Sequence, residues 1–152
     1  NYFEWPTSGN WQLIEADIKQ YVQTCHDRYD LIVMDIAVGQ KTPEWLSDEA
    51  FLIDCRSCLT SAGHMAINLI VENATDFVSR LAAIRNAFDR QTVCLSLSEH
   101  RNVLVFAFNQ IKPMENHLSD ADLKHLETRW QVEFGQFYQQ MILDNPKGSG
   151  IF

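Results

Sequence analysis

Short apolar runs of strand length alternate along the chain with segments whose apolar residues recur at helical spacing. The strand-like runs cover residues 11–15, 30–36, 64–71, 92–97 and 102–109. The runs at 30–36 and 64–71 are almost continuously apolar, which is typical of strands covered on both faces. Only a few residues separate the last two runs, so we expect these two strands to pair antiparallel as a hairpin.

Helical periodicity occupies the segments between the strands. The predicted helices cover residues 16–27, 48–59, 73–88, about 120–134 and 137–143. In the first of them Ile18, Tyr21, Val22 and Cys25 share one face. The alternating order predicts an α/β three-layer fold with right-handed crossovers and a mostly parallel sheet of about five strands, which ends in a C-terminal antiparallel hairpin.

Length and composition are those of one globular domain, which we take as residues 1–152, with 110–152 as its C-terminal helical extension. Twelve basic and twenty acidic residues give a net charge of −8, which excludes a general attraction for nucleic acid or anionic membranes. No apolar run approaches the ~20 residues of a membrane span, and no secretory signal pattern is visible. Four cysteines are too few for a disulfide scaffold, so we expect a cytoplasmic protein.

Two acidic residues follow predicted strands, where ligands bind in open α/β sheets. Asp17 comes after the run 11–15, and Asp35 ends the run LIVMDI. A carboxylate at such a place accepts hydrogen bonds from an amino or hydroxyl group, or acts as a general base. The structural alternatives are a helix N-cap for Asp17 and a loop-capping role for Asp35, and position alone favours neither interpretation.

The pair Cys55-x-x-Cys58 falls near the end of a predicted helix. A zinc ribbon needs a second such pair, and the other cysteines, Cys25 and Cys94, stand alone. We therefore predict that Cys55 is buried, that Cys58 is partly buried, and that both are reduced and metal-free. The sequence also contains no glycine-rich phosphate or dinucleotide loop and no nucleophile elbow.

Three segments together resemble the spermidine synthase-like branch of S-adenosylmethionine-dependent methyltransferase folds. They are EADIKQYV at 15–22, YDLIVMDI with TPEWLSDEAF at 29–51, and LTSAGHMAINL at 59–69. Asn102-Val-Leu is similar to the opening of the last strand in that family. The resemblance covers roughly residues 10 to 109 and implies part of a seven-stranded sheet of order 3-2-1-4-5-7-6.

The resemblance implies that this chain supplies strands three to seven, and that the family's first two strands and its glycine-rich cofactor loop precede Asn1. It implies that Asp17 and Ile18 bind the adenine of the cofactor. It places Asp35 at the reacting centre, as a catalytic and cofactor-binding residue. The implied cofactor of the full-length parent is S-adenosylmethionine or its decarboxylated form. None is expected in this chain alone.

Polyamine synthases of the family carry a second acid in a D-x-x-D pattern, and Val38 occupies that position here. A valine takes no proton, so we expect a fragment of a spermidine synthase-like transferase of unknown small-molecule substrate, not a true polyamine synthase. The alternative is a non-catalytic binding or dimerisation domain that retains the fold. Neither nucleic acid nor a membrane is an expected partner.

The family's fourth strand, 30–36 here, pairs with a first strand that this chain lacks. An unpaired edge of this kind invites another strand. We expect residues 11–15 to pair beside 30–36 or, failing that, a homodimer to cover the same edge.

Overall fold

The computed structural model describes residues 9, 11–97, 100–110 and 118–150. The described strands are β1 (Tyr29–Met34), β2 (Leu59–Ile70), β3 (Thr92–Ser96) and β4 (Asn102–Phe108). The described α-helices are α1 (Ile18–Thr24), α2 (Glu49–Ser57), α3 (Ala74–Ala87), α4 (Asp120–Trp130) and α5 (Phe134–Asp144), and a 3₁₀ turn covers Glu44–Ser47. None of these helices is long and apolar enough to cross a bilayer.

The sheet has four strands in the order β1-β2-β4-β3. Strand β1 is parallel to β2, whereas β4 is antiparallel both to β2 and to β3. Only one of the three strand pairings is parallel, so the sheet is mixed and the expected mostly parallel sheet is not present in the described residues. The antiparallel pairings both involve β4, which alone runs against the other three strands. The predicted C-terminal hairpin is confirmed, and the order agrees with the 4-5-7-6 part of the order that the resemblance implies.

The expected fifth strand is absent from the described residues. Residues 11–15 form no ladder, and Leu13 is 72% exposed. Strand β1 pairs with β2 alone within the described part of the chain, so the prediction that residues 11–15 pair beside β1 is wrong. The run has the residue types of a strand, but β-propensity depends on a neighbouring ladder and on burial. The homodimer alternative stays a prediction.

Helices α1, α2 and α3 all pack on one face of the sheet. Their side chains join those of the strands in one core, which includes Val22, Leu52, Ile84, Met65 and Val105. The crossovers from β1 to β2 and from β2 to β3 advance in the same direction across the sheet. Since such crossovers are right-handed, they leave their helices on the same face.

The opposite face is covered incompletely, so the predicted third layer is only partial. Leu31 and Val33 of β1 are 49% and 63% exposed on that face, while Val93 and Leu95 of β3 are buried. Helix α5 packs along β3, where Asp144 accepts hydrogen bonds from the backbone N–H and the hydroxyl of Ser96. A helix layer over β1 would need a crossover in the other direction, which the described residues do not contain.

Candidate functional site

A chain of three polar side chains crosses the sheet beyond the last residues of β1. The Asn68 side chain donates from Nδ2 to Oδ1 of Asp35 at 2.8 Å. Asn102 donates from its own Nδ2 to Oδ1 of Asn68, also at 2.8 Å. Asn68 thus uses both ends of its amide, and the chain holds the Asp35 carboxylate in one place while leaving that residue exposed.

The sheet register explains how these residues meet. Asn68 pairs with Leu104, and Ile70 pairs with Asn102, so Asn68 and Asn102 are diagonal neighbours on one face. Met65, Ile67 and Leu69 of β2 are fully buried under the helices. Since strand side chains alternate, Asn68 projects from the opposite, incompletely covered face.

Asp17 is the N-cap of α1. Its Oδ1 accepts hydrogen bonds from the backbone N–H groups of Lys19 at 2.8 Å and Gln20 at 3.4 Å. Asp17 therefore has the capping role that was its structural alternative to ligand binding. This capping uses only one of its two carboxylate oxygens. Within the described residues Oδ2 of Asp17 has no hydrogen-bond partner, and this oxygen is available to a ligand.

Ile18 is the first residue of α1 and lines an open pocket of about 330 Å³. The pocket is lined by Gln12, Leu13, Ile14, Ala16, Ile18 and Tyr21. Its apolar walls suit a flat, weakly polar group such as a purine ring. Residues 11–15 thus contribute to a pocket beside α1 and not to the sheet.

The structure does not join the two acidic residues directly. Among the described contacts, no hydrogen bond or ion pair links Asp17 to Asp35. Asp35 directly follows β1, whereas Asp17 precedes α1. Any role in one site therefore requires a ligand that reaches both.

Val38 lies in the loop after β1, and its backbone N–H donates to the carbonyl of Lys41 at 2.9 Å. Its side chain is 70% exposed and helps to line a cavity of about 390 Å³ with Lys41, Thr42, Pro43, Glu44, Glu72, Asp76 and Arg80. The two basic residues of this cavity are paired, Lys41 with Glu72 and Arg80 with Asp76. The cavity therefore presents no unpaired basic group to a substrate.

The four cysteines are free thiols in the structure. Cys55 is 0% and Cys58 is 1% exposed, so Cys58 is more deeply buried than predicted. Burial raises the pKa of Cys55 to about 12. No group of three metal-ligating side chains occurs within the described ranges. The prediction that the pair binds no metal stays a prediction.

Sequence reasoning assigned no role to Asn68 and Asn102. Both belong to the motifs that carry the family resemblance, Asn68 in LTSAGHMAINL and Asn102 before Val-Leu. Membership of these motifs is the signal by which they could have been found. Their joint action depends on the antiparallel register of β2 and β4. Linear spacing does not reveal this register.

Comparison with curated proteins finds polyamine aminopropyltransferases. One from Chromobacterium violaceum is 29% identical over 98% of this chain, and two from Neisseria meningitidis strains are 27% identical over 100%. The chain spans 58% of the length of each of these relatives. No family model matches the chain.

Two solved structures share the fold. A probable spermidine synthase from Corynebacterium glutamicum superposes with a TM-score of 0.58 at 16% identity, over 74% of this chain and 43% of that one. Human methyltransferase-like protein 13, in complex with SAH, superposes with a TM-score of 0.61 at 19% identity, over 95% and 64%. Taken with the strand order, these likenesses show that the chain carries part of a spermidine synthase-like, Rossmann-like methyltransferase fold.

Proposed function

We propose that this chain is the C-terminal part of a longer, cytoplasmic spermidine synthase-like transferase. Residues 110–152 would extend the same domain. The observation that carries the proposal is the position of Asp35, directly after a parallel strand and held by Asn68. The carboxyl ends of parallel strands are where α/β sheets bind ligands. The relatives named aminopropyltransferase support the reaction class, because they align along nearly the whole chain.

In this proposal Asp17 and Ile18 contact the adenine of S-adenosylmethionine or its decarboxylated form. The residues fit that part of the cofactor. Oδ2 of Asp17 accepts no hydrogen bond from the described residues, and the pocket beside Ile18 has apolar walls. An amino group of the purine would donate to the carboxylate. The bound cofactor would supply the group to be transferred. The chain contains no glycine-rich loop for the rest of the cofactor.

Asp35 is proposed to contact the reacting centre and the cofactor. An exposed carboxylate whose Oδ1 already accepts from Asn68 keeps Oδ2 for an incoming nucleophile. Asn68 and Asn102 act as positioning residues in this proposal, because Asn68 donates to Asp35 and Asn102 donates to Asn68. Val38 offers no carboxylate to a second amine, so the substrate is a small molecule other than a typical polyamine.

The test is calorimetric titration of the full-length protein with S-adenosylmethionine, its decarboxylated form and methylthioadenosine. We expect saturable binding of one of them. We expect Asp17→Ser, which keeps an N-cap side chain, to weaken it about tenfold or more, because a hydrogen bond to a charged group contributes about 1.5–3 kcal/mol. The matched control is Asp48→Ser at the N-cap of α2, where Asp48 accepts from Ala50. It should leave binding unchanged.

The second candidate is a non-catalytic binding or dimerisation domain. It is favoured by Val38 at the position of the expected acid and by the exposed Leu31 and Val33 on the edge strand. Absence of binding by all three adenosyl compounds, together with a concentration-dependent dimer in sedimentation equilibrium, would support this second function over the first.

A further inference from the structure

Two thiols from distant parts of the chain converge where α1 ends and β2 begins. The Cys25 thiol lies 3.8 Å from the hydroxyl of Tyr29. The Cys58 thiol donates to the backbone carbonyl of Val22 at 3.4 Å. Val22 and Cys25 are three residues apart at the end of α1 and so lie on the same side of it.

Backbone contacts fix this convergence. The backbone N–H of Tyr29 donates to the carbonyl of Cys58 at 2.8 Å, which brings the start of β1 against the end of α2. The Tyr29 hydroxyl is in turn hydrogen-bonded to that of Tyr21 at 2.5 Å. The Cys25 thiol thus lies near the Cys58 thiol and beside the tyrosine pair.

The two thiols differ in reactivity. Burial acts to raise the pKa of Cys25, but hydrogen bonds with Tyr21 and Tyr29, with the Asp27 backbone and with the Cys58 thiol outweigh burial and lower it. Burial, followed by the charge of Cys25, raises the pKa of Cys58. Cys25 is also only half-buried, while Cys58 is fully buried. An accessible thiol with a lowered pKa beside a buried second thiol is the usual arrangement of an attacking and a resolving cysteine.

We propose that Cys25 and Cys58 form an intramolecular disulfide when the protein meets a small oxidised disulfide such as oxidised glutathione. The Cys25 thiolate attacks one glutathione sulfur, forms a mixed disulfide and releases one glutathione thiolate. The Cys58 thiol then loses its proton, attacks the Cys25 sulfur and releases the second glutathione. The two protein thiols lose two electrons and the glutathione disulfide gains them.

The bond would tie the C-terminal end of α1 to the residue that precedes β2. Helix α1 carries Asp17 at its other end, so the disulfide would fix the orientation of the helix that presents this carboxylate. Cys55 is not the partner in this proposal, because no described contact links its thiol to Cys25 and burial raises the pKa of Cys55 to about 12.

The experiment is to incubate the folded 152-residue chain with oxidised glutathione, block free thiols, digest with trypsin and map disulfides by mass spectrometry. Trypsin cleaves after lysine and arginine, and its sites here include Lys19, Arg28, Lys41, Arg56 and Arg80. Cys25, Cys55 and Cys58 therefore fall on three separate peptides, 20–28, 42–56 and 57–80. We expect loss of two of the four thiols and a link between peptides 20–28 and 57–80.

Two variants make the test specific. Cys25→Ser should abolish the link and leave its three remaining cysteines as free thiols. Cys55→Ala is the matched control and should form the link at the rate of the unmodified chain. A link between peptides 42–56 and 57–80, a stable glutathione adduct on Cys25, or four thiols unchanged after oxidation would each overturn the proposal. These outcomes do not depend on whether the full-length protein is a transferase.

Discussion

The side-chain amide of Asn145 makes the two hydrogen bonds with the backbone of Cys94 that a neighbouring strand would make. The N–H of Cys94 donates to Oδ1 of Asn145 at 2.9 Å, and Nδ2 of Asn145 donates to the carbonyl of Cys94 at 2.6 Å. Cys94 lies in β3, which is the last strand of the sheet. Asn145 therefore blocks further pairing at this edge and anchors the end of α5.

We expect Asn145→Ala to lower the free energy of unfolding by about 2–4 kcal/mol, because it leaves a buried N–H and a buried carbonyl unpaired. Asn145→Asp should cost at least as much, since it places an oxygen against the Cys94 carbonyl. Chemical denaturation monitored by circular dichroism measures both. The control is Asn86→Ala on the exposed surface of α3, and equal effects at the two positions would contradict the role assigned to Asn145.

Asp76 makes the stability of the fold depend on pH. Burial opposes its ionisation, but hydrogen bonds from the Glu72 backbone N–H and from the guanidinium of Arg80 outweigh burial and lower its pKa. The folded chain therefore holds this proton more weakly than the unfolded chain. The stabilisation is complete above the ordinary pKa of about 3.9 and is lost as the pH falls from there through the lower folded pKa.

We expect Asp76→Asn to lower the free energy of unfolding by about 1–3 kcal/mol at pH 7 and to flatten its decline below about pH 4. Denaturation curves collected from pH 7 to pH 2.5 measure both effects. Asp27→Asn, at an exposed position, is the matched control. If Asp76→Asn shows the same decline in the free energy of unfolding at low pH as the unmodified chain, that decline comes from other carboxylates.

Asp35→Asn is expected to lower the activity of the full-length protein by about 10²–10⁴-fold if Asp35 acts as general base. Asn68→Ala should produce a smaller loss, in kcat and not in KM, because the Asp35 carboxylate loses the hydrogen bond that holds it in place. The control is Asp30→Asn, an exposed carboxylate within β1, which accepts a hydrogen bond from Thr60 at 2.9 Å. A loss under about threefold for Asp35→Asn would assign this residue to structure.

The 152-residue chain by itself is expected not to bind an adenosyl cofactor at micromolar concentration. The pocket beside Ile18 offers a site for the purine alone, and the chain has no glycine-rich loop whose backbone amides approach the rest of the cofactor. Isothermal titration with S-adenosylmethionine checks this expectation. Saturable binding to the isolated chain would contradict this expectation.

Local sequence determined most of the elements. The spacing of Ile18, Tyr21, Val22 and Cys25 predicts the buried face of α1, and all four contact the core. Asn73 caps α3 by accepting from the backbone N–H of Asp76. These features were predictable because a helix face and an N-cap depend on residues within one or two turns.

Tertiary structure decided which strands exist and which polar residues meet. Residues 11–15 have the apolar pattern of a strand, but a strand forms only where a neighbour completes its ladder. Asp35, Asn68 and Asn102 are far apart in sequence and are joined because β2 lies between β1 and β4. Cys25 and Cys58 likewise converge only when the end of α1 packs beside the start of β2. Sequence alone therefore determined the local elements, whereas the long-range hydrogen bonds of the folded sheet determined the candidate site.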